Sequence, residues 1–202
     1  MTPIGQSRRL STQDSAFFYF EKARAPMSIG AVAIFEGEIP YERLVQHFGS
    51  RMPLVPRYRQ RIMPAPLGLA HPTWEPDPEF NIYNHVRWVR LPAPGSDQQL
   101  SELAGELFSN PLSRRKPPWE VHLVEGLSEG RSAIVAKVHH CLVDGVSGVE
   151  LLMVTFDITP NPSLAPVADD EWNPKPLPGR AVRLVDAAFD RLGRLARTAG
   201  DV

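Results

Sequence analysis

The segment SAIVAKVHHCLVDG, residues 132–145, joins a strand-like run to two adjacent histidines and a turn. Its first part, Ser132 to Val138, is apolar on both faces apart from Lys137, which is typical of a strand in the middle of a sheet covered on both sides. The apolar run from Val149 to Phe156 then indicates a helix. We therefore expect the histidines at the carboxyl end of a sheet strand, where α/β proteins tend to place their sites.

The two histidines are expected to have different roles. Adjacent side chains in an extended chain point to opposite sides, so one of His139 and His140 can face a cleft while the other faces the core. Imidazole, with a free pKa of about 6.5, can take up and return a proton near neutral pH. Asp144 can fold back to hold the loop, and Gly145 permits a close approach or a positive φ.

The flanking sequence predicts a mixed α/β (α+β) fold, a sheet flanked by helices. Ser96 is expected to cap an amphipathic helix, and Ser11 a shorter one. The other elements predicted from hydrophobic periodicity are a buried strand at 27–35, a helix at 41–52, and strands at 57–62, 69–74, 85–91 and 119–127.

Composition excludes several classes of protein. The 202 residues carry a formal net charge of −1, so no global field favours nucleic acid, which is not expected as a partner. The single cysteine, Cys141, rules out an intramolecular disulfide and suits a reducing cytoplasm. The polar N-terminus does not resemble a signal peptide, and no apolar run approaches the roughly 18 residues that span a bilayer. We therefore expect a cytoplasmic protein that touches lipid, where it does so, only at the surface.

The domain organisation is predicted from shifts in composition. Residues 1–157 are expected to form a domain with the paired histidines, and residues 158–179 a proline-rich linker. Residues 180–202 indicate an amphipathic helix that leads to a further C-terminal domain. Its apolar stripe, flanked by five arginines, suits a membrane or lipid-droplet surface and a second domain equally well; the stripe contains Val182, Val185, Phe189 and Leu192.

The pattern HHxxxDG at residues 139–145 is the motif of the CoA-dependent acyltransferases, which include chloramphenicol acetyltransferase and the condensation domains of peptide synthetases. The chain most resembles a third group, the bacterial wax ester synthase/diacylglycerol acyltransferases. PLSRRKPPWE, residues 111–120, is similar to that family's PLxRxRPLWE, although Pro118 replaces a leucine and Ser113 an acidic residue. The resemblance runs from about residue 9 to 157 and includes Leu10, Ser11, Asp14, Phe17, Met27, Gly30, Ala31 and RYRQR at 57–61.

This resemblance implies one half of a two-domain, chloramphenicol-acetyltransferase-like O-acyltransferase. His140 would be the general base that carries an alcohol proton to the departing CoA thiolate, with acyl-CoA as substrate and diacylglycerol or a fatty alcohol as acceptor. His139, Asp144 and Gly145 would shape the loop. No cofactor or metal is implied, and the second domain would come from the same or another chain and supply the oxyanion donor.

Several alternatives stay open. His139, His140 and Asp144 are possible zinc ligands, although adjacent histidines converge poorly on one ion. Cys141 is a candidate nucleophile. The same motif also serves condensation on other acceptors, and a non-catalytic half-domain could bind lipid or a partner protein. The arginines at 57, 59 and 61 suit a solvated strand edge better than a CoA phosphate site.

Overall fold

A computed structural model of the protein describes residues 8–143, 172–174 and 176–200. The described helices and strands, in chain order, are α1 (Thr12–Phe20), β1 (Ser28–Phe35), α2 (Tyr41–Arg51), β2 (Gln60–Met63), β3 (Thr73–Pro76), β4 (Val86–Arg90), α3 (Asp97–Ser109), β5 (Trp119–Glu125), β6 (Ser132–His139) and α4 (Arg180–Gly200). Asp144, Gly145, the predicted helix at 149–156 and most of the predicted linker lie outside the described residues.

The main sheet has four strands in the order β1-β6-β5-β4. β4 and β5 are parallel, whereas β6 is antiparallel to both of its neighbours, β1 and β5. The sheet is therefore mixed, and it has helices on both faces, which confirms the predicted fold class. β2 and β3 form a separate antiparallel pair.

Successive side chains of the central strands alternate between two cores, as the two-residue period of a strand requires. Leu123 and Ile134 pack with residues of α1 and α2, whereas Val124 and Val135 pack with Leu100 and other residues of α3. The strand that ends at His139 is thus held from both sides, as its sequence predicts.

The predicted helix caps are confirmed. The Ser11 side chain accepts a hydrogen bond from the Asp14 N–H at the start of α1. At the start of α3, Ser96 and Gln99 form a reciprocal capping box. These bonds satisfy amide donors that would otherwise lack partners in the first turn.

The prediction that 27–35 is a buried strand is wrong in part. β1 covers Ser28–Phe35, but it is an edge strand of the sheet, and Ile29, Val32 and Ile34 are 45%, 42% and 48% exposed. Small and β-branched residues occur in buried and in exposed strands, so the composition of β1 does not distinguish the two. Position in the sheet decides its burial.

The predicted strands at 57–62 and 69–74 are displaced. Pro56 begins a 3-10 helix over Pro56–Arg59, so only Gln60–Met63 is extended, and its partner is Thr73–Pro76. Proline presets the φ angle of a helical turn, and this local preference outweighs the alternating pattern of arginines.

Helix α4 places its polar residues, not its apolar stripe, against the rest of the protein. The guanidinium of Arg9 forms an ion pair with the carboxylate of Asp186 at 2.7 Å, and Ala187 is 1% exposed. The apolar residues Val182, Val185, Phe189 and Leu192 are 55–70% exposed. No helix of the described residues is long and apolar enough to span a membrane.

Candidate active site

The two histidines lie where β6, one of the two inner strands of the main sheet, ends. His139 is the last residue of β6, and a single 3-10 turn over His140–Leu142 follows. The His139 N–H donates to the Pro118 carbonyl at 2.9 Å, and the His140 N–H donates to the Met27 carbonyl at 2.8 Å. The pair is therefore held by backbone bonds from both sides.

His139 faces the interior, with only 2% of its surface exposed. Its Nδ1 accepts a hydrogen bond from the Cys141 N–H at 3.1 Å, and its Nε2 lies 3.4 Å from Glu21 Oε1. Burial lowers the pKa of His139, and the Glu21 carboxylate opposes this effect only in part. His139 is therefore a neutral ring near pH 7, and its Nδ1 accepts a hydrogen bond from within the turn.

His140 lies at the partly exposed side of the same turn. Its ring stacks on Phe17 of α1, with ring centroids 3.9 Å apart and planes 20° from parallel. Its Nδ1 is buried and has no hydrogen-bond partner among the described residues. The two rings therefore have different surroundings: His139 lies inside the protein, whereas His140 lies against Phe17 at the partly exposed side of the turn.

Cys141 is a poor candidate for a nucleophile. The residue is 5% exposed, and burial strongly raises the pKa of its thiol. Because the thiolate is the reactive form, such a thiol is inert near neutral pH.

The metal alternative depends on Asp144, which lies outside the described residues. Within the part of the chain that the structure describes, no group of three or more His, Cys, Asp or Glu side chains is placed to hold a metal ion.

A small cavity beside His139 is not a substrate site. Its lining includes Phe18, Glu21, Arg114 and His139, and its free volume of about 10 Å³ admits roughly one water molecule. An acyl chain or a CoA moiety needs a far larger space.

The three arginines at 57, 59 and 61 do not form a solvated strand edge. The guanidinium groups of Arg57 and Arg59 lie over the rings of Trp74 and Trp172, at 4.7 and 4.2 Å from the ring centroids. Burial lowers the pKa of Arg57 to about 10. Packing against aromatic rings accounts for Arg57 and Arg59. Arg61 instead donates to the Arg115 carbonyl at 3.3 Å and lies 3.9 Å from Asp77.

The sequence alone did not identify Glu21 as a residue of the site. It indicated Arg114 only as part of the segment 111–120 that resembles the family. Glu21 follows Phe17 by one helical turn, so α1 presents both residues to the histidine pair, Phe17 to His140 and Glu21 to His139. This spacing of one helical turn is the local feature of the sequence that connects Glu21 with Phe17.

Comparison with known proteins identifies the family. Residues 10–202 match the wax ester synthase/diacylglycerol acyltransferase catalytic domain. The chain is 40% identical over 189 residues to the probable diacylglycerol O-acyltransferase tgs3 of Mycobacterium tuberculosis, covering 92% of this chain and 69% of that protein. The chain therefore belongs to the wax ester synthase/diacylglycerol acyltransferase family, and the resemblance inferred from its motifs is confirmed.

A solved structure of this family is also similar to the chain. The wax ester synthase/diacylglycerol acyltransferase from Marinobacter aquaeolei VT8 is 32% identical, with a TM-score of 0.58 over 71% of this chain and 37% of that enzyme. The first condensation domain of the calcium-dependent antibiotic synthetase gives a TM-score of 0.61 at 16% identity, over 74% of this chain and 36% of that chain. The second likeness concerns the fold alone. The chain thus spans well under half of either structure.

Proposed function

We propose that the protein takes part in the transfer of a long-chain acyl group from acyl-CoA to diacylglycerol or a fatty alcohol, with His140 as the general base. The observation that supports this role is the difference in burial of the paired histidines: His139 is 2% exposed, whereas His140 lies at the partly exposed side of a turn held by backbone hydrogen bonds. Family membership supports the substrate class.

The reaction is a direct transfer. His140 takes the proton of the acceptor hydroxyl as that oxygen attacks the thioester carbonyl carbon, and a tetrahedral oxyanion forms. When the oxyanion collapses, the carbon–sulfur bond breaks, and the imidazolium returns the proton to the CoA thiolate. A thioester is already activated, so the proposed step uses neither a metal nor a further cofactor, and no acyl-enzyme forms.

Replacement of His140 tests this proposal. We expect His140→Ala to lower acyl transfer, measured as CoA release from acyl-CoA with diacylglycerol or a fatty alcohol, by at least about 100-fold. His71→Ala is the control, because His71 lies in the loop before β3 and only its carbonyl accepts a described bond. Turnover of His140→Ala equal to that of the control would contradict the role of His140. Activity with carrier-protein thioesters alone would indicate condensation on another acceptor, and no acyl transfer with either donor would indicate a non-catalytic binding domain.

We also propose that a second domain, in the same or another chain, completes the tunnels that bind the acyl chain and the acceptor. The outward apolar face of α4 then meets either that domain or a membrane or lipid-droplet surface. The exposure of this face supports a contact of this kind, since apolar patches on soluble proteins commonly mark interaction sites.

Co-sedimentation with anionic phospholipid vesicles distinguishes contact of the α4 face with lipid from contact with a second domain. Phe189→Ser removes a side chain of the α4 face, and Phe20→Ser is a matched control at the end of α1, with exposures of 70% and 66%. Vesicle binding that Phe189→Ser weakens at least about threefold, and Phe20→Ser does not, assigns the face to lipid. No binding by the unaltered protein assigns it to the second domain.

A further inference from the structure

Glu21 is a buried carboxylate at the end of α1 for which the proposed reaction has no direct use. Its side chain is 3% exposed. Oε1 accepts a hydrogen bond from the Met27 N–H at 3.2 Å and lies 3.4 Å from Nε2 of His139. Oε2 lies 3.7 Å from Nε of Arg114. These contacts connect Glu21 to both histidines of the pair, by two separate routes.

The first route runs through the ring of His139. Because Nδ1 accepts the Cys141 N–H, the proton of the neutral ring is on Nε2, the nitrogen that faces Glu21. Nε2 of His139 has no hydrogen-bond partner among the described residues, so its contact with Glu21 at 3.4 Å is electrostatic, and a negative charge there favours the tautomer with Nε2–H. That tautomer keeps Nδ1 free to accept from Cys141, which closes the turn that carries His140.

The second route runs through the backbone. The Met27 N–H donates to Glu21, and the Met27 carbonyl accepts from the N–H of His140. Glu21 therefore fixes the backbone of Met27, and the carbonyl of Met27 fixes the backbone of His140. Both routes converge on the position of the same imidazole.

Arg114 holds Glu21 in place. One of its terminal nitrogens donates to the Phe18 carbonyl at 3.0 Å and to the Glu21 carbonyl at 3.2 Å, and the guanidinium lies 4.6 Å from the centroid of the Phe18 ring. These contacts tie the last turn of α1 to the segment 111–120 and place a positive charge beside the buried carboxylate. Arg114 thereby offsets the cost of burying that charge.

We propose that Glu21, supported by Arg114, is a positioning residue for acyl transfer, which orients His140 through the His139 tautomer and through the Met27 peptide. This inference rests on the proposed role of His140. Glu21 touches neither substrate nor the reacting atoms, and its effect is on where the base sits.

The test compares Glu21→Ala and Glu21→Gln with Glu75→Gln. Glu75 is a matched control, because it is 4% exposed and pairs with an arginine, Arg8, but lies on β3. We expect Glu21→Ala to lower kcat by about 10- to 100-fold with KM changed less than about twofold, the size of effect that a small misplacement of a catalytic group produces. Glu21→Gln keeps an acceptor oxygen for Met27 and should lose less than Glu21→Ala.

The second readout is the 15N spectrum of the His139 ring at neutral pH, which does not depend on turnover. The unaltered protein and Glu75→Gln should show a protonated Nε2 and an unprotonated Nδ1. Glu21→Ala and, to a smaller degree, Glu21→Gln should show a mixture of tautomers. An unchanged tautomer together with kcat equal to that of Glu75→Gln would overturn the inference. Retention of turnover by His140→Ala would instead overturn the proposed function, so the two failures are distinguishable.

Discussion

Phe17 lies nearly flat against the ring of His140, with centroids 3.9 Å apart. This contact limits rotation of the imidazole about its side-chain bonds, while the backbone N–H of His140 is held by Met27. A general base must reach its proton within hydrogen-bond distance, so the orientation of the ring matters as much as the position of its Cα atom.

Removal of this stack tests its importance. We expect Phe17→Ala to lower kcat by about 10-fold, which corresponds to about 1.4 kcal/mol of transition-state stabilisation, because the freed ring spends less time in the reactive orientation. Steady-state kinetics with acyl-CoA and a lipid alcohol measure the change. Phe20→Ala, on the same helix but 66% exposed, should leave kcat unaltered. Equal values for the two variants would show that the stack has no role in orientation.

The histidine pair could be found from sequence, but the residues around it could not. HHxxxDG specifies two adjacent imidazoles, and the alternation of side chains along a strand predicts that only one of them faces the interior. Glu21 reaches His139, and Arg114 reaches Glu21, only because α1 and the segment 111–120 fold onto the end of β6. A contact of this kind depends on long-range packing and leaves no periodic trace in the sequence.

Helix α4 shows how little an amphipathic pattern reveals about orientation. The pattern correctly predicts a helix with one apolar stripe, yet the polar side meets the body of the protein. The attachment includes Arg9, which lies 2.7 Å from Asp186 and 3.4 Å from Asp190, and also donates to the His71 carbonyl. The helix is thus held by ion pairs and hydrogen bonds, with one buried alanine, Ala187, between them.

We expect Arg9→Gln to loosen α4 without unfolding the sheet. Partly exposed ion pairs contribute about 1 kcal/mol or less, so the midpoint of urea unfolding should change little. Amide hydrogen exchange over residues 180–200 should accelerate by about threefold or more, because local opening costs less free energy.

Arg8→Gln is the neighbouring control for this experiment, since Arg8 pairs with Glu75 on β3 and makes no described bond to α4. Exchange in α4 that is the same in both variants would contradict the attachment through Arg9.

The whole molecule brings these parts together through its mixed sheet. α3 lies between β4 and β5 in the chain and covers one face, and α1 and α2 cover the other. β6 is one of the two inner strands, and His139 is buried at its end, whereas β1 is an edge strand and is exposed. The same order of strands therefore accounts for both the held histidine and the exposed apolar edge.

Much of this arrangement follows from local sequence. The two-residue period of β5 and β6, the helical period of α3, the serine caps and the histidine motif depend on neighbours a few positions away, so they can be interpreted along the chain. The burial of β1, the face that α4 turns inward and the network of Glu21, Arg114 and Met27 depend on which distant segments meet. Apolar composition and helical period are the same for a covered and an uncovered face, and only the three-dimensional packing distinguishes them.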